Sequence, residues 1–132
     1  MIIVDASVIV AVLVGQPESA GRAREALSRD LDWAAPSHQP TEVVNALRRL
    51  SRGSSLTPAS GDAAFARFRS MVILSLPLEG QVLQRIWELR DNATPYDAAY
   101  LAWAEALSVP VLTADTKLVT IPSATCEVRV LG

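Results

Sequence analysis

Residues 94–115 read TPYDAAYLAWAEALSVPVLTAD, and this stretch decides the fold. Thr94, Pro95 and Asp97 spell a helix start: a hydroxyl at the cap, proline at the first helical position, and an acid facing free backbone N–H groups and the positive end of the helix dipole. Alanine, leucine, tryptophan and tyrosine then fill the segment to Leu107, which predicts a helix suited to burial. Val109–Leu112 follows as a short, continuous apolar run, the mark of a strand buried on both faces. A helix leading into such a strand is the repeating unit of a parallel α/β sheet. Capping alone accounts for Asp97, so the rest of the chain must decide whether it does more.

Working outward, the same alternation recurs. Ile2-Ile3-Val4 is a β-branched apolar run ended by Asp5, and Ser7 to Val14 reads as helix. Pro17-Glu18-Ser19 opens a polar helix to about Arg29. Trp33-Ala34-Ala35 is a short strand broken by Pro36. A helix follows to about Arg52, with Val43, Ala46, Leu47 and Leu50 at helical spacing. Thr57-Pro58 starts another through Phe65 and Phe68. Val72–Leu76 is a strand, Glu79–Arg90 a helix, and Val128–Leu131 a last strand. The expected architecture is a three-layer α/β/α sandwich around a parallel sheet of about five strands. There is no repeat, low-complexity tract or linker, so residues 1–132 are read as one domain.

Composition narrows the function. The chain has 132 residues, half of them hydrophobic, and a net charge of −2. Its pI is near 5.3 and its mean hydropathy +0.25. Bulk positive charge therefore cannot hold a nucleic acid, and any such contact must be local. The apolar excess points to surface covered by a partner. Cys126 is the only cysteine, which excludes an internal disulfide and CxxC zinc chemistry and fits the cytoplasm. MIIVDASVIVAVLVG lacks a basic leader region, is interrupted by Asp5 and is too short to span a bilayer, so no membrane association is expected.

The acids carry the chemistry. In an open parallel sheet, ligands sit beyond the carboxyl ends of the strands. Asp5 and Asp115 each follow a strand, Asp97 heads the helix leading into the second of those strands, and Glu42 lies near the start of the helix after Trp33–Ala35. Each also has a plain structural reading: Asp5 as a turn or cap, Asp115 as the cap of a turn at Thr116–Leu118, and Glu42 as an exposed helical acid. Taken together they sit in apolar surroundings with no Lys or Arg close in sequence to Asp5, Asp97 or the loop before Asp115. Acids near buried elements are costly unless paired or metal-bound. A hard divalent cation would satisfy them, and a metal in a carboxylate nest suits phosphoryl chemistry. The hydroxyls of Ser7 and Thr113 stand where they would orient ligands or bound water. His38 is the only histidine and lies beside Pro36, a poor basis for a Ser-His-Asp triad, and no phosphate-binding glycine loop is present.

These pieces, IIVDASVIV, APSHQPTEVVNALRRL and TPYDAAYLAWAEALSVPVLTADTKL, resemble the PIN-domain ribonucleases, and most closely the VapC toxins of type II VapBC toxin–antitoxin pairs. Their order and spacing cover nearly the whole chain. The resemblance implies a metal-dependent ribonuclease whose acidic cluster is Asp5, Glu42, Asp97 and Asp115. Asp5 and Asp97 would be the main ligands of Mg²⁺ (or Mn²⁺), Glu42 and Asp115 would complete the cluster partly through water, and Asn45 and Thr113 would support it. It implies hydrolysis by an activated water that leaves a 5′-phosphate and a 3′-hydroxyl, a homodimer, and a cognate VapB-like antitoxin. Arg48, Arg49 and Arg52 are the candidates for RNA phosphate contact. Two departures stand out. Lys117 occupies the region where some relatives carry a further acid, which argues against a full second metal site. Pro40 sits in the first turn of the Glu42 helix, where it bears on the placing of Glu42.

Two other functions share parts of the pattern. A PIN fold acting only as a binding or regulatory module fits the low pI but leaves the complete acid set unexplained. A small metal-dependent phosphatase fits the aspartate after the first strand, but the aspartyl-phosphate enzymes want a second acid two residues on, where Ser7 stands.

Overall fold

The computed structural model describes residues 1–122 and 124–131. Strand β1 (Ile2–Val4) leads into helices α1 (Ala6–Val14) and α2 (Pro17–Ser28). Strand β2 (Trp33–Pro36) is followed by α3 (Gln39–Arg52) and α4 (Pro58–Ser70). Then come β3 (Leu74–Leu76), α5 (Gly80–Glu88), α6 (Pro95–Leu107), β4 (Val111–Thr113), a 3-10 turn at Thr116–Thr120, and β5 (Val128–Val130).

The five strands lie in the order β3-β2-β1-β4-β5, and every pairing is parallel. Successive strand residues face opposite sides, and the core divides accordingly. Ile3 and Val111 pack with α5 and α6 around Ile86, Leu89, Tyr100 and Leu101. Ile2, Val4 and Leu112 pack with α1, α2, α3 and α4 around Val8, Ile9, Val43 and Leu47. This is the three-layer sandwich expected from the alternation of apolar runs and helical spacing.

Boundaries shift by one or two residues. Strand β3 begins at Leu74 rather than Val72, which is 89% exposed on the approach to a sheet edge. Strand β4 runs from Val111 to Thr113, beginning after Pro110, whose carbonyl accepts from the Ile3 N–H. Helix α5 gives way at Leu89, whose carbonyl accepts from the N–H groups of Asn92 and Ala93 in a closing turn.

The chain enters the sheet at its centre. It builds outward through β2 and β3, then crosses back to place β4 and β5 on the other side of β1. The β1–β4 boundary is thus the topological switch point, and a crevice opens beyond the carboxyl ends of those strands.

Candidate functional site

Asp5 stands at the end of β1 and is nearly buried. Its Oδ2 accepts from Thr113 Oγ1 and from Ser7 Oγ, both at 2.7 Å. Each hydroxyl also accepts from the loop after β4: Thr113 from the Asp115 N–H at 2.9 Å and Ser7 from the Ala114 N–H at 2.9 Å. The two hydroxyls therefore bind the Asp115 loop to the Asp5 carboxylate. Burial pushes the Asp5 carboxyl above its ordinary range, although the hydrogen bonds from Thr113 and Ser7 oppose it.

Glu42 reaches the same end of the sheet from the first turn of α3. Gln39, fully buried, donates from Nε2 to the Val4 carbonyl at 3.0 Å and fastens the start of α3 to the end of β1. Pro40 falls where the first-turn N–H has no helical partner, so its missing donor is harmless. Glu42 Oε1 accepts from the Tyr100 hydroxyl at 2.7 Å. His38 Nε2 lies 3.1 Å from the same oxygen, but off the axis of a ring N–H hydrogen bond. Burial pushes the Glu42 carboxyl up; the neighbouring His38 and the Tyr100 hydroxyl outweigh it and hold the group below its usual range.

Asp97 occupies the first turn of α6, where Thr94 caps the helix by accepting from the Asp97 N–H at 3.2 Å. Burial raises its carboxyl pKa, Lys117 opposes the rise, and the charges of Asp5, Asp115 and Glu42 add to it. Asp115 caps the 3-10 turn by accepting from the Lys117 N–H at 2.9 Å, and its other oxygen lies 3.6 Å from Lys117 Nζ. The cap readings of Asp97 and Asp115 are thus real, and they coexist with a shared site.

Asp5, Glu42, Asp97 and Asp115 line one cavity of about 440 Å³, together with Ser7, Arg49 and Lys117. Arg49 is the arginine of its cluster that reaches this wall. Arg48 lines a groove between α3 and α4, and Arg52 is exposed. Asn45 is exposed on α3 and makes no hydrogen bond to the four acids among the described residues. Among those residues, no three His, Cys, Asp or Glu side chains are grouped tightly enough to form a metal cage. The donors fit instead a hard ion that keeps most of its water and takes one or two carboxylate oxygens directly.

The family model described as PIN domain matches residues 2–123. The chain belongs to the PIN-domain family. This PIN domain is 35% identical over 131 residues to the ribonuclease VapC9 of Mycobacterium tuberculosis, covering 99% of this chain and 98% of that protein. Among solved structures it resembles FitAcB from Neisseria gonorrhoeae, with a TM-score of 0.73, 21% identity and coverage of 98% and 96%. It also resembles a toxin–antitoxin complex from Klebsiella pneumoniae, with a TM-score of 0.65, 16% identity and 94% coverage of both chains.

Three residues of this PIN domain's site escaped sequence reasoning. Tyr100 reads as core, His38 as a poor catalyst, and Gln39 carries no signal of its own. A buried tyrosine needs a partner for its hydroxyl, and that is the one signal that pointed beyond packing. The partner itself lies 58 residues away, outside any local pattern. Among the described residues, no helix is long and apolar enough to cross a membrane.

Proposed function

We propose that this PIN domain is the toxin of a type II VapBC pair, a Mg²⁺-dependent ribonuclease that Mn²⁺ also supports. The observation that carries the reading is the meeting of Asp5, Glu42, Asp97 and Asp115, from four separate segments, in one cavity at the sheet's switch point. Burial and mutual repulsion raise the carboxyl pKa of Asp97, an arrangement that serves a fold poorly and a bound cation well. The 35% identity to a VapC ribonuclease along almost the full chain supports the same conclusion.

A bound divalent ion supplies charge neutralisation at the phosphate and a more acidic water. The chain's own residues do the rest. Ser7 and Thr113 occupy one oxygen of Asp5 and hold the carboxylate at a fixed angle. Glu42 and Asp97 face the cavity from α3 and α6 and serve as water-orienting or direct ligands. Arg49 and Lys117, on the cavity wall, hold the RNA backbone by its phosphates. Hydrolysis leaves a 5′-phosphate and a 3′-hydroxyl. A VapB-like antitoxin silences the toxin, and the toxin forms a homodimer. Exposed Val44 and Phe65, on the walls of the α3–α4 groove, offer apolar surface for such partners.

The test is RNA cleavage by purified, antitoxin-free protein in Mg²⁺, Mn²⁺ or EDTA, with Asp97→Asn alongside. Cleavage should require both metal and Asp97, and the variant should lose at least about 100-fold in rate, the usual scale for removing a preorganised charge at a reacting phosphate. Full activity in clean Asp97→Asn protein would refute the assignment.

A further inference from the structure

The Tyr100 side chain is fully buried, and its hydroxyl is the meeting point of three helices. It donates to Glu42 Oε1 at 2.7 Å. It accepts from the Ala6 N–H at 3.3 Å. That N–H belongs to the first turn of α1, directly after Asp5, and is one of the helix-start donors that lack an intrahelical acceptor. Tyr100 itself lies one turn beyond Asp97 on α6, so the two project from neighbouring positions on one helix face. One oxygen atom thus links the helix starts that follow Asp5, carry Glu42 and carry Asp97. The His38 ring completes the arrangement, edge-on to Tyr100 with centroids 5.2 Å apart.

We propose that Tyr100 is a positioning residue: its hydroxyl fixes the direction of the Glu42 carboxylate and keeps the acid-bearing helix starts aimed at one cavity. The proposal rests on the metal-nuclease reading above and deepens it. The hydrogen bond to Tyr100 falls on Oε1, so Oε2 is the oxygen left to the cavity. Asp5 shows the same division, with both hydroxyl donors on Oδ2. Groups that orient metal-binding carboxylates typically cost about 10- to 100-fold in metal affinity when removed. A merely structural tyrosine would be satisfied by any buried acceptor and would leave metal affinity alone.

The experiment is calorimetric Mn²⁺ binding to antitoxin-free wild type, Tyr100→Phe, Glu42→Gln and the double variant. Melting temperatures are recorded with EDTA and with Mn²⁺. Phe retains the ring volume, so melting in EDTA should change little. Mn²⁺ affinity should fall about tenfold or more, and the rise in melting temperature on adding Mn²⁺ should shrink with it. In the Glu42→Gln background, Tyr100→Phe should cause no further loss. Placing p-aminophenylalanine at position 100 restores a donor and should recover most of the affinity. Equal affinity in wild type and Tyr100→Phe, or losses that simply add in the double variant, would overturn the role of Tyr100 and leave the nuclease reading standing. Wild type that binds no Mn²⁺ would overturn both.

Discussion

Asp97 carries a conflict between stability and use. Burial and the charges of Asp5, Asp115 and Glu42 raise its pKa, with Lys117 only partly offsetting them. A raised carboxyl pKa means that the folded protein favours the protonated form. Its stabilising contribution is complete below the unfolded value of about 3.9 and is lost as pH rises through the folded value. Metal-free Asp97→Asn should therefore be more stable than wild type at neutral pH. The gap should close as pH falls towards and below the unfolded value. Saturating Mg²⁺ should reverse the order, because the ion stabilises only the protein that binds it. Melting curves across pH in EDTA check this, and a gap that stays constant with pH would contradict it. At this scale the acids were legible because each stands at a strand end or a helix start. Tyr100, Gln39 and His38 were not, because their roles depend on partners such as the Val4 carbonyl, 35 residues from Gln39, or on a ring contact made across the fold.

Helices α5 and α6 are joined by a different device. Arg85 Nε donates to Glu105 Oε2 at 2.7 Å and a second guanidinium nitrogen donates to Oε1 at 3.3 Å. The Thr125 N–H adds a bond to the same carboxylate at 2.9 Å. Burial pushes the Glu105 carboxyl up, but Arg85 and the Thr125 N–H hold it below its ordinary value. This contribution is present above the unfolded value of about 4.3 and is lost as pH falls through the folded value. Glu105→Gln should cost about 1 kcal/mol at neutral pH, since the amide keeps part of the network and solvent screens the rest. The difference from wild type should fade on acidification. Urea unfolding at neutral and acid pH reads it, and an equal loss at both would show that packing rather than charge is responsible. The element boundaries were legible where a cap or proline marks them, as at Thr94-Pro95. They slipped where tertiary context decides, as at Val72, whose apolar character favoured a strand that the sheet edge does not extend to.

For the whole molecule, the proposed function sets an acidic protein against an anionic substrate. The parallel sandwich was legible from alternating apolar runs and helical segments, yet the distribution of charge over its surface was not. Three arginines in one cluster looked alike in sequence. Helical geometry sends Arg49 to the acidic cavity and Arg48 to the α3–α4 groove. With a net charge of −2 and, among the described residues, only Arg49 and Lys117 as cationic side chains lining the cavity, RNA binding by the proposed ribonuclease should release few counterions. Each phosphate neutralised on a single strand contributes a slope of about −0.7 in log affinity against log salt. Two contacts give about −1.4, a shallow dependence for a nucleic-acid enzyme. Anisotropy with a single-stranded RNA and the Asp97→Asn variant, at fixed Mg²⁺ and varied KCl, measures the slope without cleavage. Arg49→Gln and Lys117→Gln should each flatten it by about 0.7, whereas Arg52→Gln should leave it unchanged. A slope several times steeper would mean that a basic surface remote from the cavity, formed by this chain or by a second copy of it, holds the RNA. Arg48 and Arg52 would then be the first residues to replace.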